Sequence, residues 1–313
     1  MPFHTKPRTF KSIGALSFGN GERTVTLGGG NTLPLHFFDA KPANPPAVGV
    51  EITDTGFDVS GLPLLAACYG TAGTLAERIQ CAAQFKGANF VCLRFEGADP
   101  GGLDRSVEEC VTLAQEAAAA CPLPLCIAGC RNVEKDTQLF KALAAALQGR
   151  NVLFLSAREE NYKTVGAATV LAYGHTLAGE SACDVNLAKQ LNVLTTQLGI
   201  AKGSLAMNTG SAAAGYGFEY VSSTMDRVKS AALEQDDTML QMPIVTPVSV
   251  ETWAVKEAMV SSADIPEWGG QEPRGIQMET VTAAACLASG SDAVILRHPV
   301  SVEKIAALIA ALI

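Results

Sequence analysis

Signatures of several common protein classes are missing from this 313-residue sequence. It contains no run of 18 apolar residues, so no transmembrane helix is expected. It has no segment rich in Lys or Arg, and its formal net charge is −8, whereas nucleic-acid-binding proteins need a basic surface. Residues 1–11 include basic side chains, but no apolar segment follows them, so we expect no signal peptide. The sequence therefore predicts binding to neither nucleic acid nor membrane.

Cysteines are present, but without the spacing of a metal centre. The nine cysteines are odd in number, irregularly spaced and mostly placed in apolar segments, and no CxxC pair occurs. Cys126 and Cys130 are separated by three residues, whereas an iron–sulfur cluster needs about four thiolates at compatible positions. We therefore expect reduced thiols in a cytoplasmic protein and no iron–sulfur cluster in this chain.

Catalytic and cofactor signatures are also scarce. There is no GxSxG nucleophile elbow, and no two of the four histidines have metal-ligand spacing, so neither a serine hydrolase nor a metal site is expected. No GxGxxG follows the apolar run Val48–Ile52, which disfavours the open dinucleotide-binding sheet.

Eight short apolar runs, separated by segments of helical period, dominate the sequence after residue 46. Most of these runs are apolar throughout, as in parallel strands that are buried on both faces. The segments between them begin with capping boxes at Thr74–Glu77 and Ser106–Glu109, which are helix start signals. The alternation predicts an α/β fold, a (β/α)8 TIM barrel over residues 47–313. The predicted strands are 48–52, 90–94, 124–128, 152–156, 175–178, 204–208, 243–246 and 293–297.

Residues 1–46 have a different character and predict an N-terminal hairpin extension. Thr24–Leu27 and Thr32–Phe38 are short apolar runs, and the turn signal Gly28–Asn31 lies between them. A proline-rich connector, Lys41–Pro46, leads into the barrel. The sequence leaves open whether this hairpin plugs the bottom of the barrel or contacts a partner.

Functional residues of α/β barrels lie at the carboxyl ends of the strands. No lysine stands there, so Schiff-base aldolase chemistry is not expected. The polar residues at these ends are Glu51, Asp54, Arg94, Glu96, Asp99, Arg131, Ser156, Arg158, Glu180, Asn208, Thr246, Glu251, Arg297 and His298.

The segment Asn208–Gly217, after the sixth predicted strand, is rich in small residues. Its backbone can lie close to a large flat ligand and present N–H and C=O groups, although a flexible loop explains the same composition. His298 is a functional candidate because of its end of the barrel, with a structural hydrogen-bonded role as the alternative. The candidate cofactor-binding residues are Asn208, Thr209, Gly210, Ser211, Gly215, Tyr216, Gly217, Thr246, Arg297 and His298.

A series of short motifs, in this order and spacing, resembles the small subunit of the corrinoid/iron-sulfur protein, called the delta subunit in archaeal acetyl-CoA decarbonylase/synthase. The resemblance extends from about Leu27 to about Pro299. Each motif is weak alone, and the order and spacing carry the specificity. The motifs are Leu33–Phe38, Asn161–Lys163, Tyr173–His175, Asp184–Asn192, Gly215–Tyr220, Glu267–Gly269, Arg274–Gly275 and Arg297–Pro299.

The resemblance implies a non-catalytic TIM barrel that pairs with a larger subunit in the anaerobic acetyl-CoA (Wood–Ljungdahl) pathway. In this family the large subunit carries a four-iron cluster and a cobamide, which lies between that subunit and the barrel top. The cobalt takes a methyl group from methyltetrahydrofolate through a separate methyltransferase and passes it to acetyl-CoA synthase. The cobalamin-binding motif DxHxxG is absent, since Tyr173 and Gly174 precede His175, so no histidine ligand to cobalt is expected from this chain.

A self-sufficient barrel enzyme, such as a pterin-dependent methyltransferase, is the alternative hypothesis. Carboxylates and amides near strand ends can bind a pterin ring, and barrels host many chemistries. The same acids can instead cap helices or pair with Arg94 and Arg131. The residues that motivate this alternative are Glu51, Asp54, Glu96, Asp99 and Asn208.

Overall fold

A two-stranded hairpin and an eight-stranded parallel sheet make up the strands of the computed structural model, which describes residues 9–35, 41–70 and 72–313. The hairpin consists of β1 (Ala15–Asn20) and β2 (Arg23–Gly28). The parallel strands are β3 (Ala47–Thr53), β4 (Phe90–Arg94), β5 (Leu125–Ala128), β6 (Leu153–Ala157), β7 (Thr176–Glu180), β8 (Leu205–Asn208), β9 (Val245–Pro247) and β10 (Ala293–Leu296).

The parallel sheet is closed into a barrel. Its order is β8-β7-β6-β5-β4-β3-β10-β9. Apart from β8 and β9, parallel strands that follow one another in the chain are neighbours in the sheet, and the first of them, β3, also pairs with the last, β10. The remaining seam joins β8 to the start of β9, where Met207 bridges Ile244 and its N–H donates to Pro243 O at 2.8 Å. The predicted (β/α)8 barrel is therefore confirmed, and all eight predicted strands are present.

Helices connect the strands and cover the outside of the barrel. Both predicted capping boxes are formed, at Thr74 with Glu77 and at Ser106 with Glu109. Asp184 caps a further helix by accepting from Leu187 N. The helices are α1 (Pro63–Tyr69), α2 (Leu75–Ala82), α3 (Val107–Ala120), α4 (Val133–Ala146), α5 (Tyr162–Gly166), α6 (Val185–Gln197), α7 (Phe218–Leu233), α8 (Val248–Thr252), α9 (Lys256–Met259), α10 (Gln271–Ala288) and α11 (Pro299–Leu312).

The strands are apolar on both faces because two apolar clusters meet at the sheet. One face packs against the helices, and the other fills the barrel interior. The interior is filled mostly by small side chains, and the Phe90 ring occupies the space above Gly49, where an added Cβ would lie 2.3 Å from the ring. None of the helices in residues 9–35, 41–70 and 72–313 combines the length and apolarity that crossing a bilayer requires.

The N-terminal hairpin exists, but its predicted pairing was wrong. The predicted first strand, Thr24–Leu27, lies in β2, which pairs with the upstream β1 rather than with Thr32–Phe38. Residues 32–35 form no strand, and 36–38 lie outside the described residues. Gly28 and Gly29 have φ of 71° and 82°, which turns the chain away from β2. The actual partner alternates in burial, which is the pattern of a half-covered strand.

This hairpin plugs the amino-terminal end of the barrel. Leu16, Phe18 and Leu27 are fully buried and belong to the same cluster as the interior side chains. Phe18 packs edge-on against Phe90, the first residue of β4, with ring centroids 5.3 Å apart. The N–H of Gly19 donates to Asn151 O at 2.7 Å. Of the two roles that the sequence left open, the plug is the one observed.

Candidate functional site at the barrel mouth

A polar cavity of about 290 Å³ opens at the carboxyl ends of the strands. Its lining comes from the ends of β4 to β9 and the loops that follow them, as expected for the functional end of an α/β barrel. The lining residues are Arg94, Ala128, Gly129, Arg131, Asp136, Ser156, Arg158, Glu180, Ala182, Cys183, Asn208, Gly210, Ser211, Pro247 and Glu251.

A buried carboxylate between two arginines lies at the floor of this cavity. Glu51 Oε1 accepts from Arg94 Nε at 2.7 Å, and Glu51 Oε2 accepts from Arg297 Nη2 at 3.0 Å. Burial alone would raise the pKa of Glu51, but the charges of Arg297 and Arg94 outweigh it and lower this pKa to about 2. The guanidinium of Arg297 also stacks 4.2 Å above the ring centroid of Phe57. The floor is therefore an ionised triad.

Two further ion pairs form the walls. Arg131 Nη2 contacts Glu251 Oε1 at 2.7 Å, and Arg158 Nη2 contacts Glu180 Oε1 at 3.1 Å. Asp136 is held differently, because its two oxygens accept the backbone N–H groups of Cys130 and Arg131. Burial raises the pKa of Asp136 despite these bonds.

Backbone strain is concentrated around the same cavity. Of the seven non-glycine residues with positive φ in the described part of the chain, four line it. Such conformations cost about 1–3 kcal/mol each and persist only where the surroundings enforce them. The four are Arg131 (φ 73°), Ser156 (φ 86°), Ala182 (φ 45°) and Cys183 (φ 63°).

The first half of the predicted Asn208–Gly217 segment reaches this cavity. Asn208 is buried, its Nδ2 donates to Ser156 Oγ at 3.0 Å, and its Oδ1 accepts from Gly210 N at 3.1 Å. Gly210 and Ser211 line the wall, whereas Thr209 is fully buried beside it. The structure therefore brings Asn208, Gly210 and Ser211 together at the mouth.

The second half of that segment lies outside the cavity. Gly215, Tyr216 and Gly217 lead into α7, and Tyr216 is 47% exposed. The hydroxyl of Tyr216 donates to Glu257 Oε2, in the helix α9 that follows β9. These residues form an outer part of the rim.

The three remaining predicted residues do not line the cavity. The hydroxyl of Thr246 is buried and hydrogen-bonded to Ser291 Oγ at 2.7 Å. Arg297 lies beneath the cavity and forms an ion pair with Glu51. His298 is fully buried, caps α11 by accepting from Val300 N at 3.2 Å, and contacts Glu272 Oε1 through Nε2 at 3.1 Å. Burial lowers the pKa of His298, and this geometry matches the structural alternative.

The acids behind the enzyme hypothesis also have structural contacts. Asp54 accepts from Arg105 Nη1 at 2.5 Å and from Gly97 N at 2.9 Å. Asp99 accepts from Gly101 N at 2.9 Å, and Glu96 accepts from Thr55 Oγ1 at 3.2 Å. Each of these three acids therefore has a hydrogen-bond partner within the chain.

The thiols and histidines do not assemble a metal site within the described ranges. All nine cysteines are free thiols. Cys126 faces the barrel interior, whereas Cys130 lies at the rim beside Asp136. His175 is buried, with Nδ1 accepting from Val152 N at 3.1 Å and Nε2 2.9 Å from Ala144 O. Across residues 9–35, 41–70 and 72–313, no three Cys, His, Asp or Glu side chains group as metal ligands do.

Sequence reasoning did not select the charged wall residues, although it noted Arg131, Arg158, Glu180 and Glu251 at strand ends. Their shared position at the carboxyl ends of the strands was the one indication in the sequence. Charged residues at these positions also form ordinary surface ion pairs, so position alone did not distinguish a residue of the cavity wall from a surface residue.

Comparison with known proteins gives a family match over nearly the whole chain. The model of the family described as CO dehydrogenase/acetyl-CoA synthase delta subunit matches residues 15–306. The delta subunit of the acetyl-CoA decarbonylase/synthase complex of Archaeoglobus fulgidus is 29% identical over 293 residues, which cover 91% of this chain and 63% of that protein. The corresponding subunit of Methanothermobacter thermautotrophicus is 29% identical over 305 residues, covering 93% of this chain and 73% of that protein. The chain thus spans less than two thirds of the Archaeoglobus relative's length.

Solved structures with the same fold include dihydropteroate synthases. The enzyme from Vibrio fischeri superposes with a TM-score of 0.56 at 12% identity, over 95% of this chain and 98% of that one. The enzyme from Xanthomonas albilineans with 4-aminobenzoic acid gives 0.53 at 13% identity over the same shares. At such identities the likeness supports the barrel fold alone.

Proposed function

Because the chain belongs to the CO dehydrogenase/acetyl-CoA synthase delta subunit family, we propose that it is the small subunit of a corrinoid/iron-sulfur methyl carrier. In this role the barrel mouth covers a cobamide held by a larger subunit, which also carries the iron–sulfur cluster. The carrier takes a methyl group from methyltetrahydrofolate through a methyltransferase and delivers it to acetyl-CoA synthase. The family match from residue 15 to residue 306 is the observation that carries the proposal.

The mouth suits a surface that covers a cobamide better than a pocket that encloses one. Its cavity of about 290 Å³ lies at the lower limit of pockets for drug-sized ligands, and a cobamide is much larger. Arg131 and Glu251 stand at the opening, with side chains 52% and 35% exposed. They offer donors and acceptors to the carboxamide groups on a corrin edge. The polar rim therefore fits one face or edge of the cofactor.

The residues of the chain would position and shield the cofactor rather than ligate its metal. When bound, the cobamide supplies the cobalt nucleophile of the methyl transfer. Asn208, Gly210 and Ser211 would contact it from the cavity wall, and Tyr216 from the outer rim. His175 and His298 are buried with both ring nitrogens engaged, so neither fits as a cobalt ligand. The barrel would exclude water from the covered face.

Visible spectra of the purified full chain, alone and with a candidate large subunit, test this proposal. We expect the chain alone to retain no corrinoid absorbance and the mixture to form a coloured complex. Tight corrinoid retention by the chain alone, with no binding to the large subunit, would contradict it. Methyl transfer from methyltetrahydrofolate to free cobalamin by the chain alone would support the stand-alone enzyme instead.

Two charge-reversal variants locate the interface. Arg131→Glu reverses a charge at the mouth, and we expect it to weaken binding of the large subunit by about tenfold. Arg227→Glu makes the same change on α7, at an exposed position outside the mouth, and should leave binding unchanged. Equal effects of the two variants would place the interface elsewhere.

A further inference from the structure

Both arginines in the walls of the mouth cavity are paired with carboxylates, whereas Arg94 at its floor has donors that no described residue uses. Arg131 and Arg158 each have their own carboxylate, Glu251 and Glu180. Asp136 adds a negative charge to the lining, but its oxygens are already bonded to two backbone N–H groups. The walls therefore offer little free charge to a ligand.

Arg94 carries the hydrogen-bond donors that remain free among the described residues. Its side chain is 8% exposed, and its Nε donates to Glu51 at 2.7 Å. The same carboxylate binds Arg297 at 3.0 Å, so Arg94 shares Glu51 with a second arginine. No hydrogen bond from either Nη atom of Arg94 is found within the part of the chain that the structure describes. Arg94 lines the cavity and its Nε is engaged with Glu51, so the Nη edge is the part of the side chain left for a ligand there.

A desolvated guanidinium with two unused Nη donors favours an anion, and these two Nη atoms match the paired oxygens of a carboxylate or a phosphate. We propose that the mouth cavity binds a small oxyanion, a carboxylate or a phosphate, on the Nη edge of Arg94. The volume of about 290 Å³ admits such an anion. Ser211 lines the same cavity, and its buried hydroxyl has no protein partner among the described residues.

This inference goes beyond the cobamide proposal and does not depend on it. The anion site lies beneath the surface assigned to the cofactor, and it forms in the chain alone. Two sources offer the required chemistry, a free anion and the phosphodiester in the nucleotide tail of a cobamide. Cobinamide lacks that tail, so a comparison of cobalamin with cobinamide separates the sources.

Calorimetric titration of the full chain with inorganic phosphate or acetate, at constant ionic strength, tests the site. We expect saturable binding of one anion per chain and no binding of acetamide, which resembles acetate in shape but has no charge. Arg94→Gln should weaken binding at least about tenfold, the effect of losing a hydrogen bond to a charged group. Arg94→Lys keeps a cation beside Glu51 and should weaken binding less. Arg227→Gln, at an exposed position on α7, is the matched control and should bind normally.

Two outcomes of these titrations would overturn the anion site. Absence of saturable binding up to roughly 50 mM anion, far above a millimolar Kd, would exclude it in the wild-type chain. Unchanged affinity in a folded Arg94→Gln or Arg94→Lys variant would place the anion elsewhere. Displacement of phosphate by cobalamin but not by cobinamide would identify the phosphodiester as the source, and displacement by neither would identify a free anion. Because no partner subunit is present, failure of the cobamide proposal leaves this result intact.

Discussion

The two ends of the barrel differ in chemistry: the amino-terminal end is filled by apolar side chains, and the carboxyl end opens into a polar cavity. At the amino-terminal end, Leu16, Phe18 and Leu27 of the hairpin join the apolar cluster of the barrel interior, and Phe18 packs against Phe90. At the carboxyl end, the interior finishes in charged side chains around a cavity. Burial of apolar area stabilises the first end directly, whereas the second end is stable only because its charges are paired.

We therefore assign stability to the amino-terminal end of the barrel and function to the carboxyl end. The inward face of the plug offers a ligand no polar groups, because Leu16, Phe18 and Leu27 fill it with apolar side chains. The mouth keeps space, ion pairs and four strained backbone positions, features that fold stability alone would select against. Sites of binding are therefore expected at the carboxyl end.

Removal of the plug's central ring should have the largest effect. Phe18→Ala empties a site that is fully buried and packed against Phe90, which should reduce the free energy of unfolding by about 3–5 kcal/mol. Urea unfolding followed by circular dichroism measures the change. Leu171→Ala, at a side chain that is 50% exposed, is the control and should change it by less than about 0.5 kcal/mol. A small loss in Phe18→Ala would mean that the hairpin is not part of the core.

Neutralising the buried acid at the mouth should cost nearly as much. Glu51→Gln leaves Arg94 and Arg297 side by side without their shared carboxylate, which should destabilise the fold by about 3–4 kcal/mol. Arg94→Gln should cost less, because Glu51 keeps its bond to Arg297. Urea unfolding of both variants tests this order. If Arg94→Gln proved the more destabilising, the floor would carry no excess positive charge.

The stability of the mouth should also depend on acidity, unlike that of the plug. The pKa of Glu51 is lowered from 4.5 to about 2 in the fold. Its contribution is therefore complete above pH 4.5 and disappears as the pH falls towards 2, a loss of about 3 kcal/mol. Unfolding free energies measured between these pH values should fall less steeply in Glu51→Gln than in the wild type. Equal slopes would show that another group dominates acid unfolding.

The fold was largely predictable from the sequence, and the site only in part. Strands buried on both faces appear as uninterrupted apolar runs, so all eight were found. The predicted pairing of the hairpin was wrong because Ala15–Asn20 holds only two large apolar residues and was not recognised as a strand. The glycines at 28 and 29 are also typical of a turn as much as of a strand end. Among the site residues, Asn208, Gly210 and Ser211 reach the cavity, whereas Thr246 and His298 are buried in hydrogen bonds within the fold. Strand-end position alone does not tell which way a side chain points.

The smallest predicted effect is a gain in the free energy of unfolding, at a residue between the apolar core and the polar mouth. Thr209 is fully buried next to the cavity wall, and its hydroxyl has no protein partner within the described ranges. A buried hydroxyl without a partner costs free energy, so Thr209→Val, which keeps the shape, should raise the free energy of unfolding by about 1 kcal/mol. Thr224→Val is the matched control, because the hydroxyl of Thr224 donates to Cys183 O at 2.9 Å. This variant should lower the free energy of unfolding by a similar amount. A stability loss in Thr209→Val would show that this hydroxyl is hydrogen-bonded and belongs to the polar mouth rather than to the apolar core.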